Sequence, residues 1–143
     1  MTEPCAQRIA ANYELLAKRM PELAGAFYDR LFKVLPESRP LFKIDIDLQS
    51  QHLAAALAII VRNLRLLDVL EEPLAELGVH HAHVGVHPEQ YPIVCRAMVE
   101  TLRDGSGPNW SPDLENDWTE ALAAVSRIMM NGALRELSPT PPV

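Results

Sequence analysis

Four of the five histidines in this chain of 143 residues fall close together, at His80, His81, His83 and His87. Imidazole is the commonest protein ligand for metals, so such crowding points to metal chemistry. The stretch runs Gly78-Val79-His80-His81-Ala82-His83-Val84-Gly85-Val86-His87-Pro88-Glu89-Gln90-Tyr91. It follows Leu74 and Leu77 at helical period and meets a proline that cannot continue a helix. Leu74, Leu77 and His81 stand at i, i+3 and i+7, so a helix carries all three on one inward stripe and directs His80 and His83 elsewhere.

A single imidazole directed into an apolar interior, with no cysteine or carboxylate beside it, suits a haem iron better than a closed zinc site, which wants about four ligands. Two other readings stand beside this one. His81 could be a core histidine satisfied by hydrogen bonds. His83 and His87, four apart, could share a zinc, but Gly85 between them and Pro88 after them argue against a continuous helix there. Tyr28 and Gln49 add a second signal: both are polar heads on otherwise apolar stripes, and leaving such a group buried without a partner costs about 1–3 kcal/mol.

The elements that must position these residues are helices. Hydrophobic residues make up 48% of the chain and aromatics 6%, and the apolar part is mostly Leu and Ala, which favour helices over strands. A chain this long forms one domain by prior and buries roughly 70% of the surface its unfolded form exposes. Ile9, Tyr13, Leu16 and Met20 predict a first helix, and Pro21 opens a second that turns Ala24, Phe27, Tyr28, Leu31 and Leu35 inward. Pro36 and Pro40 bracket a short turn of helix ending near Leu41-Phe42. Asp47 is a plausible N-cap for a long helix over 48–67 that carries Gln49, Leu53, Ala56, Leu57, Ile60 and Leu64. The histidine helix starts at Pro73. The next begins between Pro88 and Pro92 and runs to Leu102, burying Tyr91, Val94, Cys95 and Met98. A loop over 104–109 follows. Ser111-Pro112-Asp113 then reads as an N-cap, a first-turn proline and a dipole-matched acid, opening a last helix through Leu137 with Leu114, Trp118, Leu122, Val125 and Met129 on its stripe.

Charge and composition exclude some partners. A net charge of −6 and a pI near 5.3 argue against nucleic acid or an anionic membrane surface. No apolar run reaches the roughly 18 residues needed to span a bilayer, and no targeting segment is expected. Cys5 and Cys95 lack metal-type spacing and fit a reducing compartment. We therefore expect a cytoplasmic protein without membrane insertion, its domain covering residues 1–137 and its proline-rich tail over 138–143 disordered.

In order along the chain, Phe27-Tyr28-Asp29-Arg30-Leu31-Phe32, Leu41-Phe42, Gln49-x-x-x-Leu53, and His81 followed by Pro88-Glu89-x-Tyr91-Pro92-Ile93-Val94 resemble the bacterial single-domain haemoglobins. These are globins related to the haem domain of flavohaemoglobins. The resemblance spans about residues 6 to 131. It implies that His81 is the proximal iron ligand of a haem b and Tyr28 the distal hydrogen-bond donor. Gln49 and Leu53 would line the distal side, Phe42 would pack on the porphyrin, and Tyr91 would be the tyrosine that hydrogen-bonds on the proximal side. His52 is either near the haem edge or a surface histidine. One departure stands out: flavohaemoglobins carry a glutamate fifteen residues after a tryptophan of the last helix, and here that position, counted from Trp118, is Ala133. Glu136 is three residues further and on another face. The proximal network is thus truncated, and a backbone carbonyl becomes the default acceptor for the His81 N–H.

The expected fold is an all-α globin of seven or eight helices around haem b. The expected function is reversible binding of O₂ or another diatomic ligand (NO, CO), with turnover of nitric oxide if an external reductase supplies electrons. A nitric oxide dioxygenase proper is the competing enzymatic reading. A haem-free helical interaction module, its histidines structural, is the alternative of another class.

Overall fold

Prolines and glycines divide the chain into helices, as expected. The computed structural model, which describes residues 1–43 and 45–137, has α1 (Glu3–Leu16), α2 (Met20–Val34), α3 (Ile46–Arg62), α4 (Glu71–Val84), α5 (Tyr91–Ser106) and α6 (Pro112–Leu137). No strand occurs among the described residues, in keeping with an all-α fold. The piece between Pro36 and Leu41 is a 3-10 helix, so the described residues hold six α-helices where seven or eight helices were expected. The tail over 138–143 lies outside the described residues.

Several boundaries move for local reasons. The first helix stops at Leu16 rather than reaching Met20, because Ala17–Arg19 tightens into a 3-10 turn and Met20 opens α2 with Pro21 in its first turn. Asp45, not Asp47, caps α3: its carboxylate accepts from the Asp47 backbone N–H at 3.0 Å. The long helix expected over 48–67 ends at Arg62. There the Asn63 side chain donates to the Ile59 carbonyl at 2.8 Å, a local bond that competes with helix continuation, and a 3-10 stretch (Leu64–Leu70) with a kink at Leu66 follows. The loop expected from residue 104 starts later, since α5 continues to Ser106. The cap at Ser111 is as expected, its hydroxyl accepting from the Leu114 N–H at 3.1 Å.

A buried polar chain explains why α5 keeps its last turn. Trp118, fully buried, donates its indole N–H to the Asn12 Oδ1 at 3.0 Å; Asn12 Nδ2 donates to the Ser106 hydroxyl at 2.9 Å, and that hydroxyl donates to the Leu102 carbonyl at 2.7 Å. Three helices are tied at one point. Removing Asn12 would orphan the indole N–H and cost about 1–3 kcal/mol.

Nearby, Arg8 of α1 forms a two-pronged pair with the buried Asp117 of α6, at 2.5 and 2.9 Å. The guanidinium holds the Asp117 carboxyl below the usual carboxylate range. A folded-state value below the unfolded one means that the pair stabilises the fold above the unfolded pKa, about 3.9, and that this contribution is lost as pH falls through the folded value. Asp117→Asn is therefore expected to lower the urea midpoint near neutral pH and to flatten its fall below about pH 4. A parallel acid limb in both proteins would show that the pair does not govern acid stability.

On α4 the buried positions are Leu74, Ala75 and Gly78. Leu77, expected to point inward beside His81, is 37% exposed against 7% for Leu74. The reason is the neighbour: α4 has its most extensive contact with α6, and it meets that helix through Ala75 and Gly78. This turns the inward face about one residue from the expected stripe. His81 is three residues beyond Gly78 and stays half-buried, whereas His80 and His83 are exposed.

Candidate functional site

α2 presents Tyr28 from its buried face, among aromatic rings. The phenol ring lies 5.0 Å from Phe27, 6.0 Å from Phe32 and 5.1 Å from Phe42, centroid to centroid. One tilted, one stacked and one edge-on contact together hold the ring in one orientation. Gln49, from the first turn of α3, donates its Nε2 to the Tyr28 oxygen at 3.2 Å. The two polar heads singled out in the sequence therefore pair with each other. Because the phenol oxygen accepts from Gln49, its own proton is left to be donated to a third group. Burial pushes the Tyr28 phenol up, partly opposed by the Gln49 bond, which keeps it a donor at neutral pH.

α4 ends directly after its histidines. Gly85 adopts φ +107°, and its N–H reaches the Ala82 carbonyl at 3.2 Å while the Val86 N–H reaches the His81 carbonyl at 2.8 Å. Such a left-handed terminus favours glycine. It separates His83 from His87, which lies outside α4, and no cluster of three or more metal-ligating side chains occurs among the described residues. The Gly85 turn also abuts the Leu41 side chain, one residue before Phe42.

His81 faces Tyr91, the first residue of α5. The tyrosine oxygen lies 3.5 Å from His81 Nδ1, and the ring centroids are 6.3 Å apart. This oxygen, not a backbone carbonyl, is the partner of the histidine nitrogen. Burial depresses the imidazole pKa, helped by His80 next to it, so His81 is neutral at physiological pH. Burial raises the Tyr91 phenol, as does the neighbouring Cys95. A neutral imidazole held through Nδ1 has Nε2 available for a metal.

Leu53 is half-buried against the core and His52 is exposed. Phe32 belongs with the site although the sequence marked it only as part of a motif: it packs 5.4 Å from Phe42, and the Arg39 guanidinium lies 5.1 Å from its ring centroid. Only spacing along α2, four residues after Tyr28, could have suggested it. A cleft of about 390 Å³ between the start of α4 and the end of α6 is lined by Glu71, Ile128, Asn131, Leu134 and Arg135. It starts about 15 Å along the helix from His81 and includes none of these residues.

Comparison with known proteins identifies the family. The globin family model matches residues 25–129, a span that contains Tyr28, Phe42, Gln49, Leu53, His81 and Tyr91. The chain is 26% identical over 119 residues to an anaerobic nitrite reductase of Oryza sativa subsp. indica, covering 79% of this chain and 82% of that protein. To the flavohemoprotein of Bacillus subtilis it is 27% identical over 121 residues, covering 82% of this chain but 30% of that protein. A bacterial globin from Campylobacter jejuni superposes with a TM-score of 0.83 at 22% identity, over 94% of this chain and 98% of that one. An engineered carbene transferase from Rhodothermus marinus gives 0.86 at 24% identity, over 95% of each chain. The last two likenesses are of fold, and they agree with the family match that covers most of the chain: it is a globin.

Proposed function

We propose that residues 1–137 form a haem-binding domain in which His81 would ligate the iron of haem b, and Tyr28 and Gln49 would hold O₂ or another diatomic ligand. The observation that carries this reading is the pairing of polar groups within an apolar interior. Gln49 donates to the Tyr28 oxygen, and His81 is turned to Tyr91 through Nδ1. The residues fit the group: a neutral imidazole with Nε2 available, two donors on separate helices, and Phe42 and Leu53 as apolar flanks. Haem iron supplies reversible binding of small ligands and one-electron chemistry.

The chain's own residues shape that chemistry. Tyr28 donates its proton toward an electron-rich ligand, Gln49 orients the phenol, and the ring of Phe42 packs edge-on against the Tyr28 ring. Tyr91 holds the His81 ring in one orientation. Turnover of nitric oxide, with electrons from an external reductase, is the enzymatic form of this reading, supported by likeness to the flavohemoprotein. A second form follows from the rice relative, named an anaerobic nitrite reductase: nitrite oxygens accept hydrogen bonds from the same two donors.

The visible spectrum of the purified protein, titrated with haem, tests the proposal. An intense Soret band that saturates at one haem per chain is expected. Its absence after supplementation would leave the helical interaction module as the better reading.

A further inference from the structure

Two glycines in helix interiors lie where α4 crosses α6. A Cβ built on Gly78 would stand 1.9 Å from the Met129 carbonyl oxygen, 2.5 Å from its carbon and 2.7 Å from its Cα. A Cβ on Gly132 would stand 2.5 Å from the Ala75 Cα and 2.6 Å from both its Cβ and its carbonyl oxygen. Most of these neighbours are backbone atoms, which cannot swing aside as a side chain can. Gly105 shows the contrast, since a Cβ there meets only the flexible Leu23 side chain, at 2.8 Å. Glycine weakens a helix relative to alanine, so its presence twice at one crossing is a local cost offset by close approach.

The register of this crossing bears on His81. Ala75 meets Gly132 and Gly78 meets Met129, so α4 and α6 run antiparallel, one turn per contact, and His81 is the next turn of α4 beyond Gly78. α5 rests on the same helix: Cys95 Sγ lies 3.1 Å from the Ser126 hydroxyl and 3.7 Å from the Leu122 carbonyl, and Tyr91 is one turn before Cys95. α6 is therefore the common floor on which both members of the His81–Tyr91 pair are set. Their 3.5 Å separation is at the outer limit of a hydrogen bond, so a lift of α4 by a few tenths of an ångström breaks it.

We propose that Gly78 and Gly132 are positioning residues for His81: by letting α4 and α6 meet backbone to backbone, they fix the height of the histidine against Tyr91 and thereby its orientation toward a metal. This rests on the haem-binding reading given above. No side chain at the crossing touches the ligand; the glycines act through the placement of the helix that carries it.

The test compares Gly78→Ala and Gly132→Ala with Gly105→Ala, which makes the same change of residue at a helical site away from the crossing. In the haem-loaded ferrous proteins, the iron–histidine stretching band is expected to shift in the two crossing variants, and haem loss to an acceptor apoglobin should quicken on the order of 10- to 100-fold, as when groups that orient a metal ligand are removed. Gly105→Ala should leave both unchanged. Circular dichroism establishes which variants fold. If neither crossing variant folds, Ala75→Gly carries the test, because it removes the methyl at the same crossing without a collision and should again shift the band. Folded crossing variants with the wild-type band and haem-loss rate would overturn the inference. A wild-type protein that takes up no haem would strike the functional reading instead. In that event nuclear Overhauser contacts between the His81 and Tyr91 rings of the haem-free protein decide the positioning claim: their loss in the crossing variants supports it and their persistence refutes it.

Discussion

His81→Ala is expected to abolish stable haem retention, while His80→Ala and His83→Ala keep it. The three side chains are neighbours on one helix, and the difference lies in environment. His81 is half-buried with Nδ1 facing the Tyr91 oxygen, whereas His80 and His83 are exposed. Burial keeps the His81 imidazole neutral, which is the form that binds metal. The effect should be large because a single protein ligand is proposed for the iron, and its loss leaves only apolar contacts with the porphyrin. Haem content per chain after gel filtration is the measurement. Equal retention in the three variants would remove His81 from the site.

The second large effect is expected at Tyr28. Tyr28→Phe keeps the ring, and with it the packing on Phe27, Phe32 and Phe42, so the fold should be undisturbed. What disappears is the phenol proton. A hydrogen bond to a charged or strongly polarised acceptor is worth about 1.5–3 kcal/mol, so O₂ release should quicken on the order of 10- to 100-fold. Gln49→Leu should act in the same direction with a smaller size. The 3.2 Å bond from Gln49 to the phenol oxygen adds a further expectation, that the two effects are not additive. Once Tyr28 is phenylalanine, the part of the Gln49 contribution that works by orienting the phenol is already gone. Stopped-flow release rates of the two single variants and the double variant are the measurement. Unchanged rates in both single variants would mean that the ligand pocket is built from other residues.

Much of the helical outline was legible because its signals are local. Ser111 caps α6 and Gly85 ends α4 where a left-handed residue is required, and both features depend only on residues within a turn or two. Periodicity located the stripes of α2 and α6 for the same reason. It failed at Asn63, where one side chain turning back on the Ile59 carbonyl outweighed an apolar pattern that ran on to Leu67. It also misplaced Leu77, because periodicity gives the width of an apolar stripe but not which neighbouring helix will cover it.

By itself, the sequence determined the all-α class, the order of the helices, and the presence of Tyr28, Gln49, His81 and Tyr91 at spacings that resemble a globin. These follow from propensity, capping and short-range periodicity, which act over a few residues. Tertiary structure alone decided the partners. Gln49 to Tyr28, Tyr91 to His81, Asn12 to Trp118 and Arg8 to Asp117 are pairs whose members lie on different helices, the last two 106 and 109 residues apart. Which helices meet, and how closely, depends on side-chain volume at the crossings. There, the missing side chains of Gly78 and Gly132 let α4 settle directly onto α6 and turn His81, rather than its neighbours, toward Tyr91.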